Sequence, residues 1–343
     1  MTDCLPANAP LRNTAIFGLL AGGLALSLLI AVGIGPYGLT PQQIVSLLMA
    51  RMFGDAAPST AATVLFNIRL PRVMAAALVG AGLAAAGAAY QTIFRNPLVS
   101  PDILGVSAGS GFGAVLGILW SMPVVAIQLM GFAGGLLTVG AVLAVAALLR
   151  GAGEVLVMVL TGIALGALAG AGIAVVKVMA DPENQLPAIT FWLLGSLSGV
   201  KTSDLWLAIA PMVVGLLPLL ALSWRIGVMA MGEDEARALG VNTGRLRVVV
   251  IACATLVTAS AVAMSGIIGW IGLMVPHMAR FLVGARFDRL LPASLLLGAS
   301  FLVLVDTAAR AVALMEVPLG VLTALIGAPV FVWLLAKGRR EWA

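Results

Sequence analysis

From Ala15 to Val32 the chain carries no charged residue, and blocks of the same kind recur almost to its C-terminal end. A helix needs about 20 consecutive apolar residues to cross the hydrocarbon core of a bilayer. Hydrophobic residues make up 62% of the 343 and charged residues only 10%, against roughly 25% charged in soluble domains. These proportions exclude a soluble domain. They predict an all-α polytopic membrane protein, because helices close their backbone hydrogen bonds within each segment. The first block lies behind a short lead with a single arginine, Arg12, and is longer than a signal-peptide core. Many equally apolar blocks follow it, so it reads as a retained span.

The pattern predicts ten spans in one domain: Ala15–Val32, Val73–Phe94, a short Gly109–Trp120, Ala126–Leu149, Val155–Met179, Leu205–Trp224, Leu246–Met264, Ile267–Val283, Leu290–Ala309 and Leu319–Ala336. "TPQQIVSLLMARMFG" reads as an extramembrane amphipathic run. "RNPLVSPDILGVSAGSG" reads as a loop broken by its prolines and serines, and Leu186–Lys201 as a re-entrant or interfacial helix. With both termini in the cytoplasm, thirteen of the 19 Lys and Arg fall on inner segments and six on outer ones. That bias is the one expected of inner loops. The tails are then residues 1–13 and 337–343, and residues 228–245 form an inner loop.

Runs such as "VGAGLAAAGAAY" and "GIALGALAGAG" predict close helix packing, since small residues let backbones approach in lipid. "RLPRVMAAALVGAG" and "GRLRVVVIACATLV" resemble one another and enter the membrane from opposite sides, as inverted repeats do.

Most chemistry is missing. The net charge of +5 comes from scattered single residues, with no basic patch for nucleic acid. The cysteines, Cys4 and Cys253, are far apart, and the single histidine, His277, lies in an apolar run. No disulfide framework or metal motif can be built from them, and His277 reads as a structural hydrogen-bonding residue. No phosphate-binding loop G-x-x-x-x-G-K-[ST] is present. Most acids fall in the polar breaks; Asp306 is the main intramembrane carboxylate, and Arg310, four residues on, is placed to pair with it. Neither ATP hydrolysis nor ion coupling is visible, so the energy for any pumping comes from another chain. A membrane enzyme is disfavoured by the missing nucleophile–base set, and a stand-alone secondary transporter remains the alternative.

One stretch, "GEDEARALGVNTGRLR" from Gly232 to Arg247, is far more polar than its flanks. Gly232 opens it, Glu233, Asp234 and Glu235 occupy a helix start, and Gly240 stops it. A helix this short is unstable alone. It therefore has to dock, through Ala236, Arg237 and Leu239.

This stretch resembles the coupling loop of the FecCD/vitamin B12-type permease family of ATP-binding-cassette (ABC) importers, which import iron–siderophores, haem and cobalamin. "IRLPRVMAAALVGAGLAAAGAAYQTIFRNPLVSPDILGVSAGS", "SGIIGWIGLMVPHMARFLVG", "LLPASLLLGA" and "VPLGVLTALIGAPVFVWLL" are similar to that family over nearly everything from Arg69 to Lys337. The resemblance implies the type II importer architecture in a bacterial or archaeal cytoplasmic (inner) membrane. A second copy forms a homodimer, two ATPase subunits lie on the cytoplasmic side, and a substrate-binding protein docks outside. It implies no cofactor on this chain, since ATP and magnesium belong to the ATPases. Gly232, Glu233, Glu235, Ala236, Arg237, Leu239 and Gly240 would dock the ATPase. Arg69, Arg72 and Arg310 would be exposed and receive acidic residues of the binding protein, and Asn96 and Leu98 of "RNPL" would gate the cytoplasmic end. "RGAGEVL" lacks the polar pair of a second gate. The implied cargo is a metal chelate or corrinoid, on a scaffold shared with oxyanions such as molybdate.

Overall fold

Lipid offers the backbone no hydrogen-bond partner, so the apolar blocks close on themselves as helices. The computed structural model describes residues 9–54, 59–149, 154–311 and 316–338, and among them no strand occurs. Helix α1 spans Ala9–Gly33 and α2 spans Pro41–Phe53. In α2 the Thr40 and Gln43 side chains cap one another's backbone N–H groups, at 2.9 and 3.3 Å. This is the expected amphipathic run, and none of its residues is buried.

A short turn, α3 (Thr60–Thr63), runs through a π-turn at Val64–Arg69 into α4 (Leu70–Ile93). The second span therefore starts well before Val73. The wide turn moves the Leu70 N–H onto the Leu65 carbonyl. It thereby makes room for the ring of Pro71, which in a regular helix presses on the carbonyl four residues back. A 3-10 turn, Pro101–Leu104, leads into α5 (Val106–Leu119), followed by α6 (Val124–Leu148) and α7 (Glu154–Met179). After α8 (Gln185–Leu194) and α9 (Thr202–Ala221) come two short polar-flanked pieces, α10 (Ser223–Met229) and α11 (Glu233–Ala238). The chain closes with α12 (Thr243–Ser265), α13 (Ile271–Val283), α14 (Phe287–Ala311) and α15 (Leu319–Gly338).

Seven helices among the described residues are long and apolar enough to cross a membrane; Val106–Leu119, Gln185–Leu194, Ile271–Val283 and Leu319–Leu334 are shorter apolar helices. Three of the ten expected spans belong to the shorter set, and the fourth short helix is the piece expected to be re-entrant. The span expected from Ile267 starts only at Ile271, because Trp270 stands at φ +72° and breaks the helix. The one expected to reach Trp224 stops at Ala221.

The interior is built from α4, α12 and α14, whose spans are buried over most of their length, whereas α1 and α7 are mostly open. Bare backbone allows this packing. A Cβ at Gly80 of α4 would stand 2.2 Å from the Gly298 carbonyl oxygen of α14, and one at Gly87 would stand 1.9 Å from that of Gly272 in α13. The bundle has two distinct ends. The end of α1, the start of α4 and the end of α14 meet at one, held by Arg310 and Arg69. At the other, α10 and α11 lie beside the starts of α12 and α14.

Two helices begin inside the bundle instead of at its ends. The start of α5 packs on the middle of its neighbours, Gly105 against Thr138 of α6 and Gly162 of α7. Helix α13 starts beside Leu83 and Gly87, midway along α4. At 14 and 13 residues these helices are about 20 Å long at 1.5 Å per residue, short of a full crossing. Each follows one of the two similar segments, α5 after α4 and α13 after α12. The two units run in opposite senses, as the sequence echo anticipates.

Replacement of Gly80 by Leu should lower the thermal midpoint of the detergent-purified protein, by a destabilisation of about 3 kcal/mol. The Gly140→Leu control, at a glycine with nothing within 4 Å of its Cβ position, should leave the midpoint unchanged. Equal midpoints for the two variants would contradict the close approach.

Candidate functional site

The polar stretch folds as a knob at the end of the bundle. Gly232 has φ +148° and Gly240 φ +78°, so both ends of α11 use backbone that favours glycine. A Cβ at Gly232 would also meet the Glu235 carboxylate, at 1.9 Å. Glu233 does more than sit at a helix start. Its carboxylate accepts from Arg237 Nη2 at 3.0 Å and from Arg247 Nη2 of α12, whose side chain is buried. Arg237 also donates to Thr243 Oγ1 at 3.4 Å. The knob is thus tied to α12 by side chains as well as by the chain itself. Glu235 is exposed, with its carboxylate turned back over Gly232.

One expected contact is corrected. Ala236 is 0% exposed. Its Cβ is packed into the bundle and its carbonyl accepts the Val241 N–H at 2.9 Å, so it supports the knob and offers no surface to a partner. The large outward apolar side chains are Leu239, 54% exposed, and Met231, 67% exposed, with the Arg237 side chain 60% exposed on the same knob. Met231 falls in the inner loop expected at 228–245 but just before the polar stretch from Gly232, so it was not among the expected contacts.

At the same end, α4 ends in the loop that carries Asn96 and Leu98. Asn96 Oδ1 accepts the Leu98 N–H at 2.9 Å, a local turn that leaves both side chains exposed. The other expected gate segment, "RGAGEVL", begins at Arg150, and residues 150–153 lie outside the described residues. Arg339, Arg340 and residues 1–8 lie outside them too.

The opposite end holds a clasp. Arg69, Arg72 and Arg310 are 3%, 5% and 7% exposed, which corrects the expectation of exposed arginines. Arg69, at the end of the π-turn, donates from Nη1 to the carbonyls of Val32 and Gly33 at 2.7 and 3.0 Å, and from Nη2 to that of Tyr37. It thereby caps the last carbonyls of α1, where a cation is favoured. Arg310 donates to Ala31 and Ile34 carbonyls at 3.2 Å. Asp306, 1% exposed, lies between two guanidinium groups: Arg72 at 2.9 Å and Arg310 at 3.2 Å. The expected Asp306–Arg310 pair is therefore present, and Arg72 is the shorter-range partner. Arg72 Nη1 also reaches Glu316 at 2.7 Å, at the rim of the clasp. The donors of Arg69 and Arg310 are taken by carbonyls at the end of α1, and those of Arg72 by the two carboxylates.

His277 departs from expectation as well. Neither ring nitrogen has a hydrogen-bond partner; the ring stands edge-on to Phe281 and Phe331, at centroid distances of 5.2 and 6.3 Å. Among the described residues no group of His, Cys, Asp and Glu is arranged to hold a metal.

Comparison with known proteins places these features in a family. The model of the FecCD transport family matches residues 23–337. The molybdate import system permease protein MolB of Haemophilus influenzae is 39% identical over 92% of this chain and 94% of its own length. The cobalamin import system permease protein BtuC of Halobacterium salinarum is 43% identical over 81% of this chain and 74% of its own. A solved inward-facing structure of a metal-chelate type ABC transporter superposes with a TM-score of 0.85 at 37% identity, over 94% of this chain and 99% of that one.

Removing the Asp306 charge leaves two buried arginines facing one another, a loss of about 3–5 kcal/mol for a buried pair broken on one side. Asp306→Asn should therefore strongly lower the thermal midpoint of the purified protein. Glu316→Gln, at a half-exposed carboxylate, should cost less than about 1 kcal/mol. A midpoint unaffected by Asp306→Asn would show that the clasp contributes nothing to stability.

Proposed function

The chain belongs to the FecCD transport family, and from that premise we propose that two copies form the membrane pathway of a binding-protein-dependent importer for a metal chelate or corrinoid. At the coarser level it is the permease component of an ABC importer, of the class that handles metal chelates, siderophores, cobalamin and molybdate. Its role is transport, in a multi-pass membrane protein.

The observation that carries the proposal is the braced knob. A chain with no nucleotide-binding loop of its own presents Arg237 on a short helix, with Met231 and Leu239 flanking its two ends. That helix is locked to α12 through Glu233 and Arg247. Such a helix suits a cleft on a partner whose closure has to be felt inside the membrane. In this reading the knob end faces the cytoplasm, both termini lie there, and each copy has ten spans, seven long and three short. Two ATPase subunits, which use ATP and magnesium, sit beneath the knobs. Asn96 and Leu98 close the pathway at this end. The clasp end faces the binding protein outside. There Arg69, Arg72 and Arg310 contribute to docking by holding the ends of α1, α4 and α14 in one surface, with Glu316 at its rim.

The test is uptake in proteoliposomes that contain the permease, its ATPase and its binding protein. Arg237→Glu should reduce uptake by about tenfold or more, because like charge would face Glu233 and the outward cation would be lost. Leu239→Glu should do the same without touching the brace. The purified permease should keep its thermal midpoint in both variants. Wild-type uptake in both variants would remove the knob from the coupling route, and uptake that needs no ATPase would establish a stand-alone transporter instead.

A further inference from the structure

Asp102 stands at a depth where a carboxylate is costly. After α4 the chain turns back into the bundle, so the 3-10 turn Pro101–Leu104 reaches the middle of the membrane-spanning helices. Pro101 Cδ is 3.3 Å from the Cβ position of Gly272, which itself abuts the Leu83 carbonyl, midway along α4. The Ile103 carbonyl and Leu104 pack against Gly162 within α7. Read in one dimension, Asp102 belongs to a polar break outside the membrane. In three dimensions it is intramembrane.

Despite that depth, Asp102 is exposed. It opens on a cavity of about 250 Å³ lined by Leu83, Ser100, Thr258, Trp270 and Gly272. Trp270, at φ +72°, belongs to the break that starts α13, so both breaks meet at this cavity. The carboxylate accepts the Ser107 hydroxyl through Oδ1. An ionisable side chain at this depth faces a bundle interior or a water-filled space rather than lipid. Of these two, the cavity beside Ser100 and Thr258 offers Asp102 the second.

We propose that Asp102 lines the aqueous pathway at mid-depth and sorts cargo by charge. It favours cationic or N–H- and O–H-rich surfaces, and it disfavours anions. In a two-copy pathway the carboxylate is present twice, which strengthens the same bias. The consequence for cargo rests on the importer reading. The accessibility and the charge preference of the cavity do not, and they can be measured on the permease alone.

The experiment places a reporter cysteine at Ser100, in a chain whose native Cys4 and Cys253 are replaced by alanine. Reaction rates are measured in membrane vesicles with a cationic (trimethylammonium-ethyl) and an anionic (sulfonatoethyl) methanethiosulfonate. Both reagents should react. Asp102→Asn should lower the cationic-to-anionic rate ratio by about tenfold, the order expected for one unit charge at short range. A ratio unchanged by Asp102→Asn would overturn the sorting role and leave Asp102 as a helix-start residue for α5. Failure of both polar reagents, with labelling by a lipophilic maleimide, would overturn the aqueous pathway itself. The Leu19→Cys control, on the open face of α1, should react only with the maleimide. Neither result depends on an ATPase or a cargo, so an importer reading that fails in proteoliposomes would fail separately.

Discussion

A helix that breaks inside a membrane must find partners for its freed backbone groups in the protein, because lipid supplies none. That constraint organises this molecule. Helices α5 and α13 both start at mid-depth; the start of α5 is enclosed by α6 and α7, and that of α13 lies on α4. Enclosure at this range requires backbones to approach closely, which is why glycines stand at the crossings: Gly80 on Gly298, Gly87 on Gly272, and Gly162 on the turn before α5. A third junction obeys the same rule near the end of α12. There Gly266 lies on the Trp192 carbonyl, and Leu319 donates to the Gly195 carbonyl at 2.9 Å. The small residues are therefore a requirement of the broken helices as much as of ordinary packing.

The same helices connect the two candidate sites. Helix α12 begins at the knob, where Arg247 holds Glu233, and passes the mid-depth cavity at Thr258. Helix α4 begins at the clasp and passes the same cavity at Leu83. The cavity thus lies between two buried helices, each anchored at one end by a guanidinium–carboxylate contact. Displacement of either anchor has a continuous packed route to mid-depth.

Much of the architecture was legible because it follows from local composition. Uninterrupted apolar blocks can only be helices in lipid, and the glycines at 232 and 240 bound the knob wherever it sits. The similarity of the segments that open α4 and α12 anticipated the two oppositely directed units. Three features were not legible, and for one reason: each depends on what lies beside a residue. Ala236 turns inward because Val241 and the bundle cover it. Arg69, Arg72 and Arg310 turn inward because the carbonyls that end α1 and the carboxylate of Asp306 take their donors. His277 meets aromatic rings in place of the polar partner that its type suggests.

The sequence by itself determined that this chain is an all-helical membrane protein of the FecCD family, with one polar knob and without the phosphate-binding loop motif. Those conclusions need only composition, punctuation and motif order, which a linear string records. The tertiary structure decided which charges are available to a partner and which are spent inside. It also decided the depth of Asp102, which no hydropathy pattern reports, because a loop that folds back into the bundle is as polar as one that stays outside. Depth and burial are properties of neighbours, and neighbours distant in the chain are chosen only when the helices pack.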